Sequence, residues 1–116
     1  MASEQEQRER RAAQNEALFR SANERLKELN DALDGYSPYG SWFCECFRRD
    51  CSEMIEMTVG EYEKVRAESD QFAVVADRSH VDYSLETVIA RCDRYWIVKK
   101  LGTAASVSRD LDERAA

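Results

Sequence analysis

From Arg8 to Leu33 the chain is built mainly from Ala, Glu, Gln, Arg, Lys, Asn and Leu, a composition dominated by good helix formers. Phe19, Ala22, Leu26, Leu29 and Leu33 recur at 3-4-3-4 spacing, which puts them on one helical face. Ala12 extends this stripe backward, with polar Asn15 between. The stripe is narrow and flanked by charge, as in a helix that meets a single partner surface. Asp34-Gly35 ends the pattern, with Gly35 a candidate C-cap. Tyr36 to Ser41 holds the only proline and reads as a turn or linker before a compact remainder.

After Trp42 the period changes. Residues 42–47 and 53–58 read as extended segments joined by Arg48-Arg49-Asp50-Cys51, forming a hairpin with an irregular tip. Thr58-Val59-Gly60-Glu61 matches a capping box and predicts a helix from Val59 to about Glu68, with Tyr62 and Val65 facing the core. Phe72–Val75, Thr87–Arg91 and Tyr95–Lys99 read as short strands, the last two joined by Cys92-Asp93-Arg94. Asp77–Asp82 reads as a polar loop. From Gly102 onward the residues are small and polar, which predicts a flexible tail. The expected fold is α+β: a helical segment over residues 1–35, a small mixed domain over 36–101, and a tail over 102–116.

The strongest chemical signal is Cys44-Glu45-Cys46 followed by Cys51, a C-x-C-x4-C pattern. Alternate residues of a strand share a face, so Cys44 and Cys46 can address one ion, and the turn after Phe47 can return Cys51 to it. Zinc takes four tetrahedral thiolate or imidazole ligands. The fourth candidates are His80, the only histidine, and Cys92. The competing reading has the cysteines as small core residues among Trp42, Phe43 and Phe47. A zinc clip would stabilise a domain whose apolar core is limited by size. With four protein ligands the shell is closed, which points to a structural ion rather than a hydrolytic one.

The segment Phe43-Cys44-Glu45-Cys46, Cys51, Glu53, Ile55, Met57-Thr58, Glu61-Tyr62-Glu63 and Val65-Arg66, followed by Phe72, Val74, His80, Tyr95, Val98 and Lys99, resembles a group of small actinobacterial proteins of unassigned function. That group shares the cysteine cluster, an EYExVR helix and a later histidine. The resemblance covers roughly residues 8–100 and favours His80 over Cys92 as fourth ligand. It implies no activity.

Composition narrows the remaining classes. The 116 residues carry 23 acidic and 17 basic side chains, a formal charge of -6, which argues against a general phosphate-coating protein. No segment approaches the roughly 20 apolar residues of a membrane span, and the first residues lack the apolar run of a secretory signal. A cytoplasmic setting with reduced thiols is expected. Glu61, Glu63 and Glu68 read as a solvated face, Asp77, His80 and Asp82 as a weak second metal group, and no nucleophile elbow or nucleotide-binding glycine motif occurs. The expected function is therefore a zinc-stabilised interaction or regulatory module that forms a homodimer, or docks a partner, through Phe19, Ala22, Leu26, Leu29 and Leu33. The alternative is a zinc-containing DNA-binding regulator using the basic residues of the helix, countered by eight acidic side chains within residues 1–34. A small enzyme is the weakest reading.

Overall fold

The computed structural model describes residues 3–33, 35 and 37–114. The predicted stop at Asp34, the linker residue Tyr36 and the last two residues of the expected tail lie outside them. Helix α1 spans Glu4–Leu33, β1 Gly40–Phe43, β2 Met54–Met57, α2 Val59–Arg66, β3 Gln71–Val74, β4 Glu86–Arg91, β5 Trp96–Lys100 and α3 Gly102–Asp110. The fold is α+β: a long N-terminal helix followed by small sheets and helices. No helix among the described residues is long and apolar enough to cross a membrane.

Strands β1 and β2 form an antiparallel hairpin with Trp42 opposite Ile55. Strands β3, β5 and β4 form an antiparallel sheet in that order. Alternation along β2 turns Ile55 and Met57 inward and leaves Met54 and Glu56 outside, as a half-buried strand requires. Helix α2 starts where the capping box predicts. Thr58 Oγ1 accepts from the Glu61 N–H at 3.0 Å, and Glu61 Oε1 accepts from the Thr58 N–H at 2.8 Å, so two otherwise orphaned donors are satisfied. One core cluster joins Trp42, Ile55, Met57, Tyr62, Val65, Ala73 and Tyr95. In it the Trp42 and Tyr62 rings stack at 4.1 Å, and the indole N–H donates to the Met57 carbonyl at 2.9 Å. A second cluster joins Cys44, Cys46, Phe72, Val74, Val81 and Val98.

The expected flexible tail is instead helix α3, packed along α1. Ala104, Ala105, Val107 and Ser108 are buried, and Ala104 and Val107 meet Ala13 of α1. Small side chains let two helix backbones approach closely, so the composition that reads as disorder serves packing here. Beyond α3, Asp112 accepts from Arg66 Nη2 at 2.7 Å, tying the chain to α2. The segment from Gly102 to Arg114 is thus part of the folded unit, and α1 lies against it rather than standing apart over residues 1–35.

Helix α1 does not dock by its apolar stripe. Its buried positions are Ala12, Ala13, Glu16, Arg20, Asn23 and Asn30, a face about a quarter turn away from the stripe at 3.6 residues per turn. Arg20, Asn23 and Asn30 hydrogen-bond to backbone groups, and Glu16 meets a cation. Arg20 donates to the Ser69 carbonyl at 2.6 Å and the Ser108 carbonyl at 2.8 Å, and its guanidinium lies over the Phe72 ring at 4.8 Å. Asn23 donates to the Phe43 carbonyl at 2.9 Å and accepts from the Phe43 N–H at 2.7 Å. Asn30 donates to the Ser41 carbonyl at 3.1 Å, and Asn15 to the Cys46 carbonyl at 3.3 Å. Glu16 meets the ammonium of Lys100, which also meets Glu86, all three fully buried. Two carboxylates facing one ammonium in a fully buried site favour a retained proton, and burial pushes Glu16 well above the usual carboxylate range. Gly40 is required where α1 crosses β1: a Cβ there would lie 2.4 Å from Asn30 Cγ.

On the stripe itself, Phe19, Ala22 and Leu26 are half-buried, while Leu29 and Leu33 are 55% and 46% exposed. One shallow cleft runs between Phe19, Ala22 and Phe43. Another is lined by Leu26, Leu29, Leu33, Tyr39 and Met54.

Candidate metal centre

Cys44 and Cys46 follow directly on β1, and the chain stays extended there. The Cys44 N–H donates to the Glu53 carbonyl at 3.0 Å, and the Glu45 N–H donates to the Ala73 carbonyl at 2.8 Å. Between them, Glu45 turns to the opposite face. Its carboxylate accepts from the Asn23 amide at 2.8 Å and the Ala73 N–H at 3.1 Å. Complete burial pushes the Glu45 carboxyl up to about 7 against those donors. The alternation predicted for a strand therefore separates the two sulfurs from the intervening acid. A turn closed by the Cys51 N–H on the Arg48 carbonyl at 3.2 Å returns the third cysteine. His80 ends a short 3-10 turn over Arg78–His80, so its ring is buried rather than presented on an open loop.

The ligand atoms of Cys44, Cys46, Cys51 and His80 all lie within 4.8 Å of one another. Nδ1 of His80 is 3.5 Å from Cys44 Sγ and 3.7 Å from Cys51 Sγ. A tetrahedral ion with bonds near 2.3 Å to sulfur and 2.0 Å to nitrogen would set those edges at about 3.6 Å. The four residues can hold a metal ion. The cluster is also built to direct its donors. Nε2 of His80 is 2.5 Å from Glu53 Oε2, so the ring donates its outer N–H to a carboxylate and turns the Nδ1 lone pair inward. The Val75 N–H donates to Cys44 Sγ at 3.2 Å. Without a cation, charge crowds among the sulfurs. The hydrogen bond from Cys44, helped by His80 and the Arg48 N–H, pulls Cys46 down to about 5. The same contact, with burial, pushes Cys44 far above the usual thiol range, and burial raises Cys51.

Cys92 is exposed at the β4–β5 turn and does not join this group. Asp77 does not join His80 in a second group either: its carboxylate accepts from the Ser79 N–H at 3.1 Å, while Asp82 accepts from the Ser84 N–H at 3.0 Å. The exposed side chains of Arg48 and Arg49 flank the site on its loop. Glu53 was not legible as part of the centre from residue type alone. The signal for it was its position on the returning strand, two residues past Cys51, together with the carboxylate that a ligating histidine usually needs. The chain matches no family model, no curated protein and no solved structure.

Proposed function

We propose that this protein is a zinc-stabilised, non-enzymatic interaction module, and that the apolar face of α1 joins it to a second copy of itself. The observation that carries the reading is the division of labour on α1. Its polar face is spent on the protein's own body, while Leu29 and Leu33, together with Leu18 at 67% exposure, remain open to solvent. A helix of 30 residues with one unburied apolar edge gains most from a complementary apolar surface, and a self-complementary dimer supplies one without a further component.

Zinc is the ion best matched to three thiolates and one imidazole in a closed tetrahedron. Four protein ligands leave no position for a reacting water, so the ion fastens the hairpin tip to the turn bearing His80 and contributes folding free energy. The DNA-binding reading draws less support. Arg20 is buried, Arg25 pairs with Glu113 at 3.4 Å and Lys27 with Glu63 at 3.1 Å, which breaks a basic stripe along the helix.

Two measurements test the proposal. Elemental analysis of reduced, unchelated protein is expected to find one zinc per chain, retained in Cys92→Ala and lost or weakened in His80→Ala. A folded, metal-free wild type overturns the zinc assignment. Light scattering across concentrations is expected to find a dimer that Leu26→Glu with Leu29→Glu converts to a folded monomer. A wild type that stays monomeric at every concentration overturns the self-association.

A further inference from the structure

A cleft of about 700 Å³ lies where the first turns of α1 pass the loop after Cys46, with Arg8, Arg11, Arg49, Leu18, Phe47 and Leu85 among its walls. That volume falls in the range of small-molecule sites. We propose that it binds a small amphiphilic organic anion, an acidic headgroup carried on an apolar chain.

Many basic side chains are engaged: Arg66 with Glu24 and Asp112, Arg94 with Glu61, Arg114 with Glu24 and Glu63, Lys100 with Glu16 and Glu86. Arg10, Arg48, Lys64 and Arg78 are exposed and form no side-chain ion pair with any described residue, but none of them lines this cleft. Arg11 and Arg49 form no hydrogen bond or ion pair with any described residue, and the Arg8 guanidinium bonds only the neutral Ser84 hydroxyl, at 2.8 Å. In a chain of formal charge -6, three guanidiniums thus meet at one cleft, Arg11 and Arg49 without a partner among the described residues and Arg8 linked to Asp82 only through the Ser84 hydroxyl. The one carboxylate on the rim, Asp82, is turned to its own loop. It accepts from the Ser84 N–H at 3.0 Å and from the Ser84 hydroxyl at 2.6 Å. Guanidinium forks suit carboxylate, sulfonate and phosphate headgroups.

Leu85 and Ala12 form a buried floor, with Phe47 and Leu18 beside it. Leu18 also lines the neighbouring cleft with Phe19, Ala22 and Phe43, so the apolar lining continues along the helix. From Arg11 to Ala22 the path is roughly 16 Å at 1.5 Å per residue, the reach of a medium-length acyl chain. A purely inorganic anion would leave this lining wet, and a neutral hydrocarbon would leave the arginines unanswered. The inference does not rest on self-association, but its apolar path shares Leu18, Phe19 and Ala22 with the face proposed for it, so dodecanoate and a second copy compete there, whereas Arg11 and Arg49 lie outside that face.

The test is calorimetric titration of the full chain with dodecanoate below its micelle concentration, beside dodecyltrimethylammonium and inorganic phosphate. Saturable binding of dodecanoate is expected, with phosphate much weaker and the cation undetected. Arg11→Gln and Arg49→Gln, both at exposed positions, should each weaken dodecanoate about fivefold with an unchanged circular dichroism spectrum. Leu18→Glu should abolish binding. Amide shifts in NMR should centre on Ala12, Leu18 and Leu85. Absence of saturable binding, equal binding of the cation, phosphate as tight as dodecanoate, or indifference to both arginine substitutions would each overturn the proposal.

Discussion

Replacing Asn23 with Ala tests how α1 is held. The Asn23 side chain is fully buried and makes three hydrogen bonds: to the Phe43 carbonyl at 2.9 Å, from the Phe43 N–H at 2.7 Å and to Glu45 Oε2 at 2.8 Å. Truncation orphans a backbone donor, a backbone acceptor and one oxygen of a buried carboxylate together. Each neutral orphan costs about 1–3 kcal/mol and a charged one more. Phe43 is only half-buried, so water recovers part of that loss, and the expected total is about 3–5 kcal/mol. For a domain of this length, about 4 °C of melting temperature goes with each kcal/mol, which gives a fall of about 12–20 °C. The assay is urea denaturation of the reduced protein followed by circular dichroism, with Glu28→Ala as control. Glu28 is exposed on the same helix and should change stability by less than about 0.5 kcal/mol. An Asn23→Ala protein within about 1 kcal/mol of wild type would refute the view that polar side chains dock this helix.

Two further outcomes follow from the ion pairs. Glu53→Gln should leave the fold intact and weaken metal affinity by about 10- to 100-fold, because the carboxylate that orients His80 is lost; competition with a chromophoric chelator measures it. The hydrogen bond from Arg94 is the main cause that holds Glu61 down to about 2. A depressed carboxyl stabilises the fold above its unfolded value of 4.5, and that contribution is lost as pH falls through about 2. The stability gap between wild type and Arg94→Gln should therefore be constant above pH 4.5 and shrink as acid titrates Glu61, read from urea midpoints at each pH; a gap unchanged by acid would count against the linkage.

What the sequence made legible was local. The α1 helix, the hairpin and the capping box at Thr58–Glu61 depend on neighbours within a few residues, and their periods are visible directly. The meeting of Cys44, Cys46 and Cys51 follows from strand alternation and one turn, and His80 was a candidate because it is the only imidazole. The facing of α1 was not legible. Glu16, Arg20, Asn23 and Asn30 look like solvent positions until their partners Lys100, Ser108, Phe43 and Ser41 are in place, and hydrophobic periodicity is blind to a face buried through hydrogen bonds. Helix α3 was missed for a related reason. Ala104 and Val107 signal close approach only once Ala13 stands opposite them.

The asparagines of α1 have a consequence for assembly. Ser41 and Phe43 expose their backbone groups on the side of β1 away from β2, and at that border Asn30 and Asn23 bond them as a neighbouring strand would. One residue pair further on, Glu45 meets Ala73 of β3 in the same direction. The helix thus acts as a surrogate strand, closing a border that would otherwise recruit β-structure from another chain. Any event that lifts α1 would convert this border into a template for aggregation, so keeping it closed rests on the two side-chain amides of Asn23 and Asn30.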